Sequence, residues 1–203
     1  MKKQTDIVFI LDRSGSMSGV ESDTIGGFNS FLKEHKKDKN ARVTTILFDD
    51  QYEVLYERKP INEVSKLTPK EYYVRGCTAL MDAIGKTINS LDKKIKDNKV
   101  LFVITTDGLE NASHEYNKEK IKKLIEKHTN WEFIYIGANI DSYSEASQIG
   151  IRSSNTANYS KSKRGVETLF SSIGKAFDCM CEESDLSASW KQDLDNYIEN
   201  NQE

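Results

Sequence analysis

Asp12, Ser14 and Ser16 follow an apolar run, Ile7 to Leu11, in the order Asp12-Arg13-Ser14-Gly15-Ser16. A carboxylate and two hydroxyls at alternate positions make one face of an oxygen-only cage, the kind that hard divalent cations prefer. Two later segments have the form to complete it. Tyr73-Val74-Arg75-Gly76-Cys77-Thr78 brings a threonine to the mouth of a helix, and Val103-Ile104-Thr105-Thr106-Asp107-Gly108 brings a second aspartate after another apolar strand. Each piece also has an ordinary use. Ser14 and Ser16 suit a turn or a helix cap, Thr78 suits a helix N-cap, and Asp107-Gly108 is a common turn pair. A metal site accounts for all five residues together.

Enzymatic alternatives need groups that are absent or misplaced. A magnesium-dependent phosphatase of the aspartyl-phosphate type wants a second acid two residues after the first, where Ser14 stands. A serine hydrolase elbow would put the nucleophile at Met17 within Gly15-Ser16-Met17-Ser18-Gly19. No Walker A motif appears, and no GxGxxG follows a strand. Of the three histidines, His35 and His128 read as surface residues near helix ends, and His114 as exposed or bordering the site.

Asp12-x-Ser14-x-Ser16, then Thr78, then Asp107-Gly108 resembles the metal-ion-dependent adhesion site of the von Willebrand factor A domain family. The resemblance runs from about Asp6 to about Cys181. It implies Mg²⁺ or Mn²⁺ touched by Ser14, Ser16 and Thr78 and held, directly or through water, by Asp12 and Asp107. It also implies an open coordination position that accepts an Asp or Glu from a partner protein. The family pattern gives no guidance on the rim, where Arg13, Tyr73, Arg75 and Glu110 are the candidate partner contacts. The expected function is metal-dependent protein–protein interaction rather than catalysis, in an intracellular protein of bacterial or phage type. A magnesium-dependent phosphoesterase on a similar sheet, or a scaffold subunit with a vestigial metal site, are the alternatives.

The elements needed to position these residues alternate along the chain. Ile7 to Leu11 and Val100 to Ile104 are uninterrupted apolar runs, as for strands covered on both faces. Ile25, Phe28, Phe31 and Leu32, then Leu80, Ile84, Ile88 and Leu91, recur at helical spacing. Arg42 to Phe48 and Tyr52 to Tyr56 flank Asp49-Asp50-Gln51, short enough only for an antiparallel hairpin. Phe133 to Ile136 reads as a strand, Asp141 to Ile149 as a short helix stopped by Gly150, and Val166 to Met180 as the clearest helical stripe. The pattern is that of an α/β fold: a doubly wound, mostly parallel, Rossmann-like sheet with one antiparallel edge strand and helices on both faces. In such a sheet ligands bind beyond the carboxyl ends of the strands, where Asp12 and Asp107 would lie on neighbouring strands. Arg152 to Arg164, rich in Ser and Asn, reads as a mobile loop. Residues 1–182 are expected to form the von Willebrand factor A domain, and 183–203 an acidic helical extension docked on it.

Composition narrows the partners. The 203 residues carry a formal net charge of −3 with 30% charged residues, so nothing favours nucleic acid or an anionic membrane. The apolar run after Lys2-Lys3 is shorter than the roughly 7–15 residues of a signal-peptide core, and nothing approaches the roughly 18 apolar residues of a membrane span. Cys77, Cys179 and Cys181 are an odd number without a zinc-ligand partner set. Reduced thiols in a cytoplasmic protein are the expected state.

Overall fold

Along Thr5–Asp12 (β1) the side chains alternate between two cores, with Ile7, Phe9 and Leu11 in one and Val8 and Ile10 in the other. A strand buried on both faces needs a helical layer on each side, and the chain supplies both. The structure is a computed structural model, and it describes residues 4–96, 98–138, 140–182 and 186–201. Its strands are β1, β2 (Ala41–Phe48), β3 (Tyr52–Pro60), β4 (Lys99–Thr106), β5 (Trp131–Gly137) and β6 (Thr156–Asn158). They form one sheet in the order β3-β2-β1-β4-β5-β6. Only the β2–β3 pair is antiparallel, which puts the hairpin at one edge. The doubly wound, mostly parallel sheet expected from the sequence is the one observed.

Helices α1 (Glu21–His35) and α5 (Lys163–Cys181) cover the first core, through Phe28, Phe31, Leu169, Ile173 and Phe177. Helices α2 (Leu80–Asp92), α3 (Lys118–Lys127) and α4 (Ser142–Gln148) cover the second, through Leu80, Ile84, Ile88, Ile121, Ile125 and Ala146. A short 3₁₀ turn, Ala188–Lys191, leads into α6 (Gln192–Asn200). Trp190 and Leu194 are fully buried in the first core. The indole N–H of Trp190 donates to the Ser154 carbonyl, and the Lys191 ammonium donates to the carbonyls of Ser153 and Thr156 and to the Tyr143 hydroxyl. A buried ammonium with three donors needs three oxygens, and it finds them here.

Three expectations are corrected. Arg152 to Arg164 is not a plain loop: it contains the edge strand β6, paired in parallel with β5, and Thr156 and Ala157 are fully buried. Three residues are too few to show a periodicity. His35 and His128 are not surface residues. The His35 ring stacks 4.4 Å from Phe31 and meets Phe177 edge-on. His128 is buried, with its ring nitrogens at the Leu124 carbonyl and the Asp92 carboxylate. Among the described residues no helix is long and apolar enough to cross a membrane.

Candidate metal centre

Parallel pairing fixes the two carboxylates. β1 and β4 run side by side with Leu11 opposite Thr105, so the strands end together and Asp12 and Asp107 leave the same edge. Asp12 is fully buried and Asp107 nearly so, at 6% exposure. Asp12 Oδ1 accepts from the Ser14 backbone N–H at 2.7 Å, and Oδ2 accepts from the Thr106 hydroxyl at 2.6 Å. Burial pushes the Asp12 carboxyl up to about 6; the hydrogen bonds from Thr106 and Ser14 oppose this, and the charge of Asp107 adds to it.

The hydroxyls converge on the second aspartate. Ser14 Oγ and Ser16 Oγ lie 2.9 Å apart, and Ser16 Oγ donates to Asp107 Oδ1 at 2.6 Å. Neither serine hydroxyl caps the short 3₁₀ turn Gly15–Met17 that begins there. Nor does Thr78 cap α2, whose N-cap position is Ala79. That task falls to the segment after Asp107: Glu110 accepts from the Met81 N–H, and the Ser113 hydroxyl accepts from the Asp82 N–H. The Asn111 side chain accepts from the Thr78 N–H, which holds the threonine in place. A Cβ placed on Gly108 would lie 3.0 Å from both Ser16 Oγ and Thr78 Oγ1 and 3.9 Å from Ser14 Oγ. The three hydroxyls therefore surround one small cradle beside Asp107, which only glycine leaves open.

Backbone bonds hold the loops together. Gly15 N–H donates to the Gly76 carbonyl and Arg75 N–H to the Arg13 carbonyl, so the serine loop and the threonine loop are tied edge to edge. Gly76 has φ +64°, and a side chain there would run into Asp50. The Tyr72 hydroxyl, buried under the loop, donates to the Asp12 carbonyl at 2.5 Å.

The rim residues divide. Tyr73 is 44% exposed and Arg75 partly so, and Leu109, beside Gly108, is 57% exposed. Arg13 is not on the surface. It is fully buried, with Nε on Asp49 Oδ2 at 3.1 Å and Nη1 on Glu53 at 2.8 Å. Arg75 Nε reaches the same Asp49 oxygen at 2.6 Å. Burial pushes the Asp49 carboxyl up, but the bonds from Arg75 and Gln51 and the charge of Arg13 outweigh it and hold it below the ordinary carboxylate range. Glu110 is half-buried, and beyond Met81 it accepts from the N–H groups of Ala112 and Ser113. Its carboxylate organises backbone rather than standing free on the rim. Lys161 is a site neighbour that the sequence did not reveal: its ammonium lies 2.6 Å from Asp107 Oδ2.

A cradle of three hydroxyls between two carboxylates is a donor set for a small hard cation. Among the described residues no group of three or more His, Cys, Asp or Glu could hold a metal, so any ion here must rely on the hydroxyls. The model of the von Willebrand factor type A domain matches residues 6–172. The chain belongs to that family. Among solved structures, proximal thread matrix protein 1 from the mussel byssus is 17% identical with a TM-score of 0.63, over 88% of this chain and 46% of that one. The PilB minor pilin from Streptococcus sanguinis is 13% identical with a TM-score of 0.68, over 90% of this chain and 62% of that one. The manganese-loaded TRAP protein of Plasmodium vivax is 16% identical with a TM-score of 0.59, over 83% and 74%. At these identities the likeness is one of fold, and the chain spans about half the length of the mussel protein. No curated protein matches the chain. The family is one of protein-interaction modules, and this chain carries its six-stranded sheet.

Proposed function

We propose that this von Willebrand factor A domain binds one Mg²⁺ or Mn²⁺ through Asp12, Ser14, Ser16, Thr78 and Asp107, and that the ion recruits an acidic residue of a partner protein. The observation that carries the reading is the Gly108 cradle: three hydroxyls from two loops face one point beside two strand-end carboxylates, and none of them caps the element it precedes. Neutral hydroxyl ligands leave a divalent ion electrophilic. Two carboxylates balance its charge, so a partner's Asp or Glu can replace a water with a charge-assisted bond. The manganese bound to the Plasmodium protein, which shares the fold, agrees with this chemistry. The exposed Tyr73 and Leu109, with Arg75 between solvent and Asp49, supply a rim of the aromatic, apolar and guanidinium character that interfaces favour.

We place the protein in the cytoplasm, with its three cysteines reduced; all three are free thiols. We also assign residues 183–203 to the same unit as 1–182; residues 183–185, 202 and 203 lie outside the described residues, and the reading is supported at 186–201 by the burial of Trp190 and the bonds of Lys191. The test is titration calorimetry with Mn²⁺ and Mg²⁺, followed by capture from the native cell with and without EDTA. Asp12→Ala and Asp107→Ala should lose the ion and keep the fold. Thr78→Ala should weaken partner binding more than metal binding, and Ca²⁺, which prefers 6–8 ligands, should support the partner poorly. Partner capture of equal strength in EDTA and Mg²⁺ would separate interaction from metal and sink the proposal.

A further inference from the structure

Lys161 stands where a mobile positive charge can compete with a metal. Its ammonium pairs with Asp107 Oδ2 at 2.6 Å and donates to the Ser16 carbonyl. Both partners belong to the cradle residues, one through its second carboxylate oxygen and the other through its backbone. The carboxylate of Asp107 is thus engaged on both oxygens, by Ser16 Oγ on one and Lys161 on the other.

The lysine's own segment is anchored on both sides. Two residues before it, Tyr159 is buried, with its hydroxyl at Met17 Sδ and its N–H on the Gly137 carbonyl. One residue after it, the Ser162 hydroxyl accepts from the Gly165 N–H, capping α5, and also meets the Tyr197 hydroxyl. The Lys161 side chain itself is 21% exposed. An ammonium on a flexible four-carbon stem can therefore swing to solvent without moving the backbone that carries it.

We propose that Lys161 is a tethered cation that occupies Asp107 when no divalent ion is present, and that the metal must displace it to bind. The inference rests on the metal-site reading above. A divalent ion and an ammonium held a few ångströms apart at one carboxylate repel each other, and each needs the charge of Asp107, so the two compete for it. The lysine keeps the empty site from holding two buried carboxylates with no cation between them, and it lowers the site's metal affinity by the strength of its own ion pair.

The experiment compares the wild type with Lys161→Met, which keeps the aliphatic stem, and Lys161→Arg, which keeps the charge. Mn²⁺ affinity is measured by calorimetry. In parallel, acylation of Lys161 in the wild type by an N-hydroxysuccinimide ester is read by peptide mass with and without Mn²⁺. Lys161→Met should bind Mn²⁺ about 10- to 100-fold more tightly than the wild type, the effect of losing one charge-assisted bond, and Lys161→Arg should stay near the wild type. Saturating Mn²⁺ should raise Lys161 acylation severalfold. Binding to Lys161→Met alone would be the same result in its extreme form. Equal affinities in wild type and Lys161→Met, or acylation indifferent to Mn²⁺, would overturn the lysine's role while leaving the metal site in place. Binding to none of the three proteins would overturn the metal site and this inference with it. The acylation measurement needs no variant, so it decides the matter even if Lys161→Met fails to fold.

Discussion

Asp12→Asn should stabilise the metal-free protein, and only above a particular pH. Burial raises the Asp12 carboxyl from 3.8 to about 6. Its folded value lies above its unfolded one, so between about pH 4 and pH 6 the native state holds a proton that the unfolded chain has released. Stability then falls as pH rises through that window and is flat above it. At 1.36 kcal/mol per pH unit, folding with Asp12 ionised costs about 3 kcal/mol. Asparagine fits the same bonds. Its carbonyl can accept from the Ser14 N–H, and its amide can donate to Thr106 Oγ1, whose own proton can turn to the Gly108 carbonyl 3.1 Å away. In EDTA at pH 8 the variant should therefore gain up to about 3 kcal/mol, a rise in Tm of about 6–12 °C for a chain of this size. The gain should shrink to about 1 kcal/mol near pH 4.5, where the unfolded carboxyl is itself approaching its ordinary range. The assay is thermal and urea unfolding of both proteins in EDTA from pH 4.5 to 8.5. A variant less stable at every pH, or a difference that does not change across the window, would refute the reasoning. Saturating Mg²⁺ at pH 8 should close the gap by stabilising only the wild type, by about 2.7 kcal/mol at a hundred times Kd.

Four further outcomes are expected. Gly108→Ala, whose methyl would enter the hydroxyl cradle, should lower Mn²⁺ affinity at least about tenfold by calorimetry, the cost of one lost charge-assisted contact, while circular dichroism stays unchanged. Arg13→Met should cost about 1–3 kcal/mol in urea unfolding, because it removes a buried partner from Asp49 while the bonds from Arg75 and Gln51 remain. Lys191→Met leaves the Ser153 and Thr156 carbonyls without their donor, and faster hydrogen exchange in α6 than in β1 would show the docked helix loosening. Cys77→Ser, at an exposed thiol, should change neither Mn²⁺ affinity nor Tm, and a loss of either would give that thiol a role in the site.

What was legible in the sequence was whatever repeats locally. The apolar runs of β1 and β4, the helical stripes and the three-residue link of the hairpin each announce themselves within a dozen positions, and the sheet follows from their alternation. The strand-end aspartates were legible for the same reason: a charge that ends a buried run must leave the sheet at its edge. What was not legible depends on partners far away in the chain. Arg13 sits between Asp12 and Ser14 and reads as a solvent contact, yet it is buried because Asp49, 36 positions on, neutralises it. Strand β6 is recognisable only by its pairing with Tyr135, Ile136 and Gly137. Glu110 reads as a partner contact on the rim until the free N–H groups at the start of α2 are seen to need an acceptor. Lys161 reaches Ser16 across 145 positions from a stretch that reads as loop. The five proposed ligands and the residues that would tune them thus differ in kind. The former are written as a motif because each sits at the end of a regular element. The latter depend on how those elements pack, so the cation that would compete at Asp107 is visible only in three dimensions.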